Sequence, residues 1–297
     1  MTYDDFWKPL TAVYDLGEAR AVGRWVFEVA FGLTMTDIVC GGVERLSEQE
    51  HQQLQAIQQR LLTGEPVQYV LGVADFGPRQ FRVAPGVLIP RPETYELCEW
   101  IVSRERSDES GERVAAAPEG MHILDIGTGS GCIACTLAAE LPYSHVSALD
   151  ISPTALAIAA ENARRLNVCI DFYQYDILSA EETNHSPLSS LHSPLNLIVS
   201  NPPYICRREQ SAMEAGVLGF EPHEALFVPD DDPLLFYRAI ARFARTRLCD
   251  EGLLYFEINP LYADDILRML REEGFRHTEL RRDQFGKERM VRGKNTN

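Results

Sequence analysis

The stretch Ile123-Leu-Asp-Ile-Gly-Thr-Gly-Ser-Gly-Cys-Ile133 constrains this chain more than any other. An apolar run with one acidic residue leads into a loop where every second residue is glycine, and then into a second apolar run. A short apolar run bounded by glycines predicts a strand buried on both faces, as in parallel sheets. The glycines permit positive φ and close approach of a backbone. A loop that opens a helix places unpaired N–H groups and the positive end of the helix dipole at its mouth.

The downstream sequence keeps the same rhythm. Val146–Asp150, Phe172–Tyr175 and Leu197–Ser200 read as strands, and Cys132–Leu141 and Pro153–Leu166 as helices. Further on come the helix Pro233–Leu248, the strand Leu253–Ile258, the helix Asp264–Gly274, and the strands His277–Arg281 and Glu288–Val291. Such alternation predicts an α/β fold, a mainly parallel Rossmann-like sheet with helices on both faces. Upstream, residues 1–65 read as helical, with apolar spacing over Ala19–Phe31. Ser47 with Glu50 reads as a capping box opening a helix over Glu48–Leu62. Val67–Val73 and Gln80–Val83 read as short strands around a Gly77-Pro78 turn, and Glu93–Ser103 as a helix. Arg104–Gly120 and Ser179–Pro194 are polar and aperiodic, and read as surface connections.

The ends of the predicted strands carry polar groups. The spacing Gly127-x-Gly129-x-Gly131 differs from the dinucleotide fingerprint Gly-x-Gly-x-x-Gly. With Asp125 just before it, it suits S-adenosylmethionine, which carries a sulfonium and an amino group but no pyrophosphate. Asp150 ends the next strand and suits two ribose hydroxyls. Asp176 follows the third and suits the adenine amine, with Ile177 against the ring. For any one Asp a helix cap is an equally good reading, and Asp150 before Ser152-Pro153 has that option. Four polar strand ends in register outweigh it.

The fourth end is Asn201-Pro-Pro-Tyr204. Asn offers a side-chain carbonyl as acceptor. Pro202 and Pro203 have fixed φ and no N–H, which stiffens the turn and leaves its carbonyls unpaired locally. Tyr204 offers a ring face. Two acceptors and a flat plate fit a planar NH2 group, either a primary amide or the exocyclic amine of a base.

Composition narrows the partners. The chain has 297 residues, 45% of them apolar, enough for a large domain and a smaller one. A net charge of −16 argues against stable nucleic-acid binding, which needs a basic face. Seven scattered cysteines fit reduced thiols in the cytoplasm. Cys132 and Cys135 lack a second pair and are expected to be core packing. The histidines do not cluster, so no metal is expected. The opening Met1-Thr-Tyr-Asp-Asp-Phe-Trp7 lacks the character of a signal peptide, and no membrane association is expected. The basic residues Arg281, Arg282, Lys287, Arg289 and Arg292 read first as a solvated face.

Several motifs occur together and in order: Gly64-Glu-Pro-Val-Gln-Tyr-Val-Leu-Gly72, Leu88-Ile-Pro-Arg-Pro-Glu-Thr94, Asp125–Ile133, Asp150-Ile-Ser-Pro153, Asn201-Pro-Pro-Tyr-Ile205, Phe220-Glu-Pro222 with Glu224-Ala-Leu226, and Phe236-Tyr-Arg238. In this combination the chain resembles the release-factor glutamine methyltransferases, or protein-(glutamine-N5) methyltransferases. The resemblance implies a helical N-terminal substrate-docking domain (1–66), a β-hairpin bridge (67–92) and a class I methyltransferase domain (93–297). It implies S-adenosylmethionine as donor, and as acceptor the glutamine of the Gly-Gly-Gln motif in peptide-chain release factors. Carried over by motif, Gly127, Thr128, Gly129, Ser130, Gly131, Asp150 and Ile177 contact the donor, with Asp176 and Asn201 beside it. Asn201, Pro202, Pro203 and Tyr204 hold the target amide, and the enzyme is expected to be a monomer. Tyr95, Asn259 and the frame Asp283–Arg289 depart from the usual pattern and are expected to lie away from the donor and amide sites. Three rival readings are weighed: a nucleic-acid amino-methyltransferase using the same pocket, a non-catalytic cofactor-binding protein, and a nicotinamide dehydrogenase, which the glycine spacing disfavours.

Overall fold

The opening segment folds because its helix caps are written in the sequence. In the computed structural model, which describes residues 1–106, 120–179, 188, 191 and 194–296, Thr2 and Asp5 form a capping box at α1 (Tyr3–Trp7). Asp15 caps α2 (Leu16–Phe31), which ends at a left-handed Gly32. Thr34 and Asp37 box α3 (Met35–Val39), and Ser47 and Glu50 box α4 (Glu48–Leu62) as predicted. Phe6, Val26, Phe27, Leu54 and Leu61 fill the core between these helices. Gln58, itself buried, donates through Nε2 to the carbonyls of Asp5 (2.9 Å) and Phe6 (2.7 Å), which α1 leaves unpaired.

Val67–Leu71, expected as part of a strand, is a helix, α5. A short apolar run does not distinguish the two periods; its ends decide. Pro66 starts the turn and Gly72, at φ +74°, stops it. The Arg60 guanidinium donates to the last carbonyls, of Tyr69 (3.2 Å) and Val70 (3.1 Å). The expected hairpin comes next as β1 (Val73–Phe76) and β2 (Arg79–Arg82), turning at Gly77-Pro78 with Gly77 at φ +57°.

The chain divides into two compact units. One comprises Met1–Val73, Val83–Pro85 and Met213–Glu221, and the other comprises Ala74–Arg82, Gly86–Ala212 and Pro222–Asn297. After the hairpin the second unit runs α6 (Pro92–Glu105), β3 (Met121–Ile126), α7 (Cys132–Glu140), β4 (Ser144–Asp150), α8 (Pro153–Arg165), β5 (Ile170–Gln174), β6 (Leu195–Ser200) and β7 (Ile205–Cys206). The helix α9 (Ala215–Phe220) belongs to the first unit. The second unit then resumes with β8 (Phe227–Val228), α10 (Leu235–Arg247), β9 (Leu248–Glu257), α11 (Ala263–Glu272), β10 (Phe275–Arg282) and β11 (Glu288–Asn295). The short pair β7 and β8 has too few residues for a periodic signal. The two polar segments read as connections lie mostly outside the described residues.

Seven strands form one sheet in the order β10-β11-β9-β6-β3-β4-β5. The ladders joining β5, β4, β3, β6 and β9 are parallel, and β11 runs antiparallel between β9 and β10. This is the predicted α/β architecture. Alternate residues of each strand serve opposite faces. Ile123, Val146, Leu197 and Val199 pack with Leu97, Ile101, Ile133 and Leu137 of α6 and α7. Leu124, Ile126, Ile198 and Phe256 pack with Tyr237, Ile240, Ile266 and Leu270 of α10 and α11. No helix among the described residues is long and apolar enough to cross a membrane.

Gly131 lets α7 approach α8. Its φ is +79°, and a Cβ there would stand 2.9 Å from the Ala159 Cβ. Gly131→Ala therefore combines a left-handed penalty with overpacking and should cost at least about 2 kcal/mol. Denaturant unfolding followed by circular dichroism checks this; a loss below about 0.5 kcal/mol would contradict the close approach.

Candidate functional site

The order of the sheet reverses at β3, which has β4 on one side and β6 on the other. In open α/β sheets the crevice for ligands lies at the carboxyl ends of the strands on either side of such a reversal. The loops after β3, β4 and β6 all begin there.

The glycine loop leaves β3 and is pinned by its backbone. Gly127 N and Thr128 N both donate to the Leu149 carbonyl of β4, at 2.9 and 3.0 Å, and Gly131 N donates to Thr128 O at 2.8 Å. Gly127 and Gly129 have φ of +72° and +55°, and no atom stands within 4 Å of where their Cβ atoms would be. That open face is the cradle a close-lying ligand requires. Thr128 and Ser130 are buried and belong to the loop's own scaffold. The Thr128 hydroxyl donates to Asp125 Oδ2 (2.6 Å), and the Ser130 carbonyl accepts from Asn162 Nδ2 (2.9 Å).

Asp125 is fully buried. Its Oδ2 also accepts from Ala134 N in the first turn of α7 (3.2 Å), while its Oδ1 is buried with no hydrogen-bond partner. Burial pushes this carboxyl up to about 7, against the lowering pull of Thr128 and Ala134. Asp150 ends β4 as predicted. Its Oδ2 accepts from Gly129 N and its Oδ1 from Ser152 N, both at 2.9 Å, so it couples the loop to the start of α8. Burial raises its carboxyl as well. Asp176 stands two residues beyond the end of β5, and its Oδ1 accepts from Leu178 N at 2.9 Å. Ile177 packs on the core of the β6–α10 face.

Asn201-Pro-Pro-Tyr204 leaves β6. Asn201 Nδ2 donates to Thr94 Oγ1 (3.1 Å), the Thr94 hydroxyl donates to Glu257 Oε2 (2.5 Å), and the Tyr204 hydroxyl donates to Glu257 Oε1 (3.0 Å). Glu257 ends β9 and is buried, which raises its carboxyl; the two hydroxyls and the charge of Arg289 pull the other way. Burial likewise raises the Tyr204 phenol. Pro202 is buried, and Asn201, Pro203 and Tyr204 are half-buried. Among the described residues no donor reaches Asn201 Oδ1.

Residues 10–72 match the family model "PrmC N-terminal domain" and residues 112–217 match "Methyltransferase small domain". The release factor glutamine methyltransferase of Bacteroides thetaiotaomicron is 42% identical over 282 residues, covering 95% of each chain. That of Flavobacterium psychrophilum is 37% identical over 287 residues, covering 97% of this chain and 95% of the other. The chain belongs to the release factor glutamine methyltransferase family. A methyltransferase from Pyrococcus furiosus superposes on 82% of this chain and 100% of its own with a TM-score of 0.50; at 14% identity this is a likeness of fold. As a member of the family the chain is an S-adenosylmethionine-dependent enzyme. Its glycine loop fits the donor: the cradle is open at Gly127 and Gly129, and Asp125 Oδ1 lacks a partner.

Three residues given no role from sequence stand at this site. Thr94 closes the Leu88–Thr94 motif. Glu257 is a carboxylate in the apolar run Leu253–Ile258, a signal in itself, because a buried carboxylate needs partners. Asn162, fully buried, accepts at Oδ1 from Arg82 N (2.7 Å) and donates to the carbonyls of Arg82 and Ser130, both at 2.9 Å. It ties the hairpin to the glycine loop, and nothing local in α8 marks it.

One expectation is corrected. Asn259 does not lie away from the Asn201–Tyr204 turn, since its Nδ2 donates to the Tyr204 carbonyl (3.2 Å) and to Glu209. Asp283 accepts from Phe285 N, Lys287 N and Arg289 Nε and so organises the β10–β11 turn.

The raised Asp125 carboxyl sets a pH dependence. The folded state keeps a proton that the unfolded chain releases near pH 4. Its contribution to stability is complete below that value and is lost as pH rises toward about 7. Its full extent is about 4 kcal/mol. Asp125→Asn should flatten the fall in melting temperature of donor-free protein between pH 5 and 8. An unchanged slope in thermal scans would refute this.

Proposed function

We propose that this enzyme transfers a methyl group from S-adenosylmethionine to the side-chain amide nitrogen of the glutamine in the Gly-Gly-Gln motif of peptide-chain release factors. The observation that carries this reading is 42% identity, over 95% of each chain, to a release factor glutamine methyltransferase. The free carbonyl of Asn201 beside two prolines supports the role assigned to the pocket. We assign residues 1–66 to docking of the release factor, 67–92 to the bridge and 93–297 to catalysis, with the enzyme working as a monomer in the cytoplasm. The match of residues 10–72 to the N-terminal family model supports the first assignment.

An amide nitrogen is a poor nucleophile because its lone pair is delocalised into the carbonyl. In the proposed mechanism Asn201 Oδ1 and the Pro202 carbonyl accept the two amide hydrogens. Both acceptors raise the electron density on nitrogen and turn its lone pair toward the glycine loop. Pro202 and Pro203 hold φ near −65° and contribute no competing N–H. The ring of Tyr204 clamps the flat amide. Gly127, Thr128, Gly129, Ser130 and Gly131 would hold the methionine portion of the donor, Asp150 its ribose hydroxyls, Asp176 its adenine amine and Ile177 its ring. Bound there, S-adenosylmethionine supplies an electrophilic methyl on sulfur. Rate comes from positioning and from dipoles fixed before reaction. No strong base is required, because the methylated nitrogen can release its extra proton to water.

Asn201→Ala should lower methyl transfer at least about 100-fold and leave donor affinity within about twofold of the parent. Mass spectrometry of an unmethylated release factor reads the first quantity and calorimetry the second. Equal loss of both would sink the division between amide and donor sites. Methylation of DNA or RNA in place of the factor would favour the nucleic-acid reading.

A further inference from the structure

An Asn side chain has two ends of nearly the same shape. Turned one way, Asn201 offers the target amide an acceptor; turned the other, it opposes one NH2 with another. Rotating a single torsion exchanges the two, so something must select the end that faces outward.

The selection can be followed proton by proton. A threonine hydroxyl has one proton to give. Thr94 is 2% exposed, and its hydroxyl lies 2.5 Å from Glu257 Oε2, a carboxylate oxygen that can only accept. With its proton committed there, Thr94 Oγ1 can only accept from Asn201. It therefore takes Nδ2, at 3.1 Å, and leaves Oδ1 as the outward end. The second oxygen of the same carboxylate accepts from the Tyr204 hydroxyl at 3.0 Å. Glu257 is itself 2% exposed, so water does not compete for either bond.

We infer that Thr94 and Glu257 are positioning residues for methyl transfer, the carboxylate acting through the Thr94 hydroxyl to set which end of the Asn201 amide meets the substrate and directly to orient the Tyr204 ring. This rests on the proposed role of Asn201 as an acceptor for the target amide. Both residues act through Asn201 and Tyr204. Their contribution is preorganisation: the acceptor is already turned outward when the substrate arrives, and no rotation is needed during reaction. The neighbouring main chain is held from a different direction, by Asn259 Nδ2 on the Tyr204 carbonyl, so losing the relay frees the side chains without releasing the turn.

The test uses the full-length enzyme, an unmethylated release factor and S-adenosylmethionine. Thr94→Val keeps the shape and removes the hydroxyl; Thr94→Ser restores it. Thr94→Val should slow single-turnover methyl transfer by about 30-fold or more, with donor affinity little changed and a lowered melting temperature because Glu257 Oε2 loses its partner, and Thr94→Ser should recover most of both. In an Asn201→Ala background Thr94→Val should add nothing further, because the group it positions is gone. Glu257→Gln, which retains size but offers a single acceptor oxygen, provides a second variant should Thr94→Val not fold; it should slow transfer likewise, and in an Asn201→Ala background only the part of its loss that runs through Tyr204 should remain.

The relay is overturned if either variant transfers methyl at the parent rate, if Thr94→Ser is as slow as Thr94→Val, or if the Thr94→Val loss multiplies with that of Asn201→Ala. If Asn201→Ala itself retains full rate, the reading of the amide pocket fails instead, and the two failures are told apart.

Discussion

Strands buried on both faces have no place along their length for an unpaired polar group. This one constraint arranges the rest of the structure. The buried middles of β3, β4 and β6 are lined mainly by Ile, Leu, Val and Ala, with Ser147 the polar residue buried mid-strand, and each strand ends with a polar residue at or next to its carboxyl end. Asp125 and Asp150 stand there, and the buried Ser200 donates to the Ile126 carbonyl at 2.6 Å. Because the strand order reverses at β3, the loops from these ends diverge and leave room between them. The glycine loop and the Asn-Pro-Pro-Tyr turn are neighbours for that reason.

Polar side chains with both ends in use then fasten these loops. Asp150 fastens the glycine loop to α8, Asn162 fastens it to the hairpin, and Glu257 collects Thr94 and Tyr204. A satisfied buried network holds its members to a narrow range of positions, whereas a half-satisfied one would destabilise the fold. Asp125 is the exception, with one oxygen satisfied and the other not, and it lies directly beneath the glycine cradle.

The sequence is most legible where structure depends on neighbours in the chain. The capping box of Ser47 and Glu50, the glycine loop and the Asn-Pro-Pro-Tyr turn are local devices, and each stands where its residues imply. Val67–Leu71 defeats a local reading because five residues, all but Gln68 apolar, carry either period, and its ends at Pro66 and Gly72, with Arg60 on its last carbonyls, decide. Thr94, Asn162 and Glu257 escape notice for a related reason. Their partners are 163, 107 and 80 residues away in the chain, and only the folded sheet brings them together. The departure at Tyr95 makes the same point. Its ring packs edge-on to Phe76 and occupies the space that a side chain on Gly77 would need, 2.2 Å from that Cβ position. The unusual residue and the glycine are one solution shared by two distant segments.

The cysteines have a practical consequence. Cys98, Cys132 and Cys135 are buried in the sheet core, and burial raises all three thiols, Cys132 to about 12. Since the thiolate is the reactive form, burial disfavours alkylation of these side chains while the fold is intact. Cys40 and Cys169 are exposed, and they fall in different compact units. Each unit thus carries a native cysteine open to a thiol-directed probe, and the half-exposed Cys249 would have to be replaced before Cys169 could be labelled alone on the second.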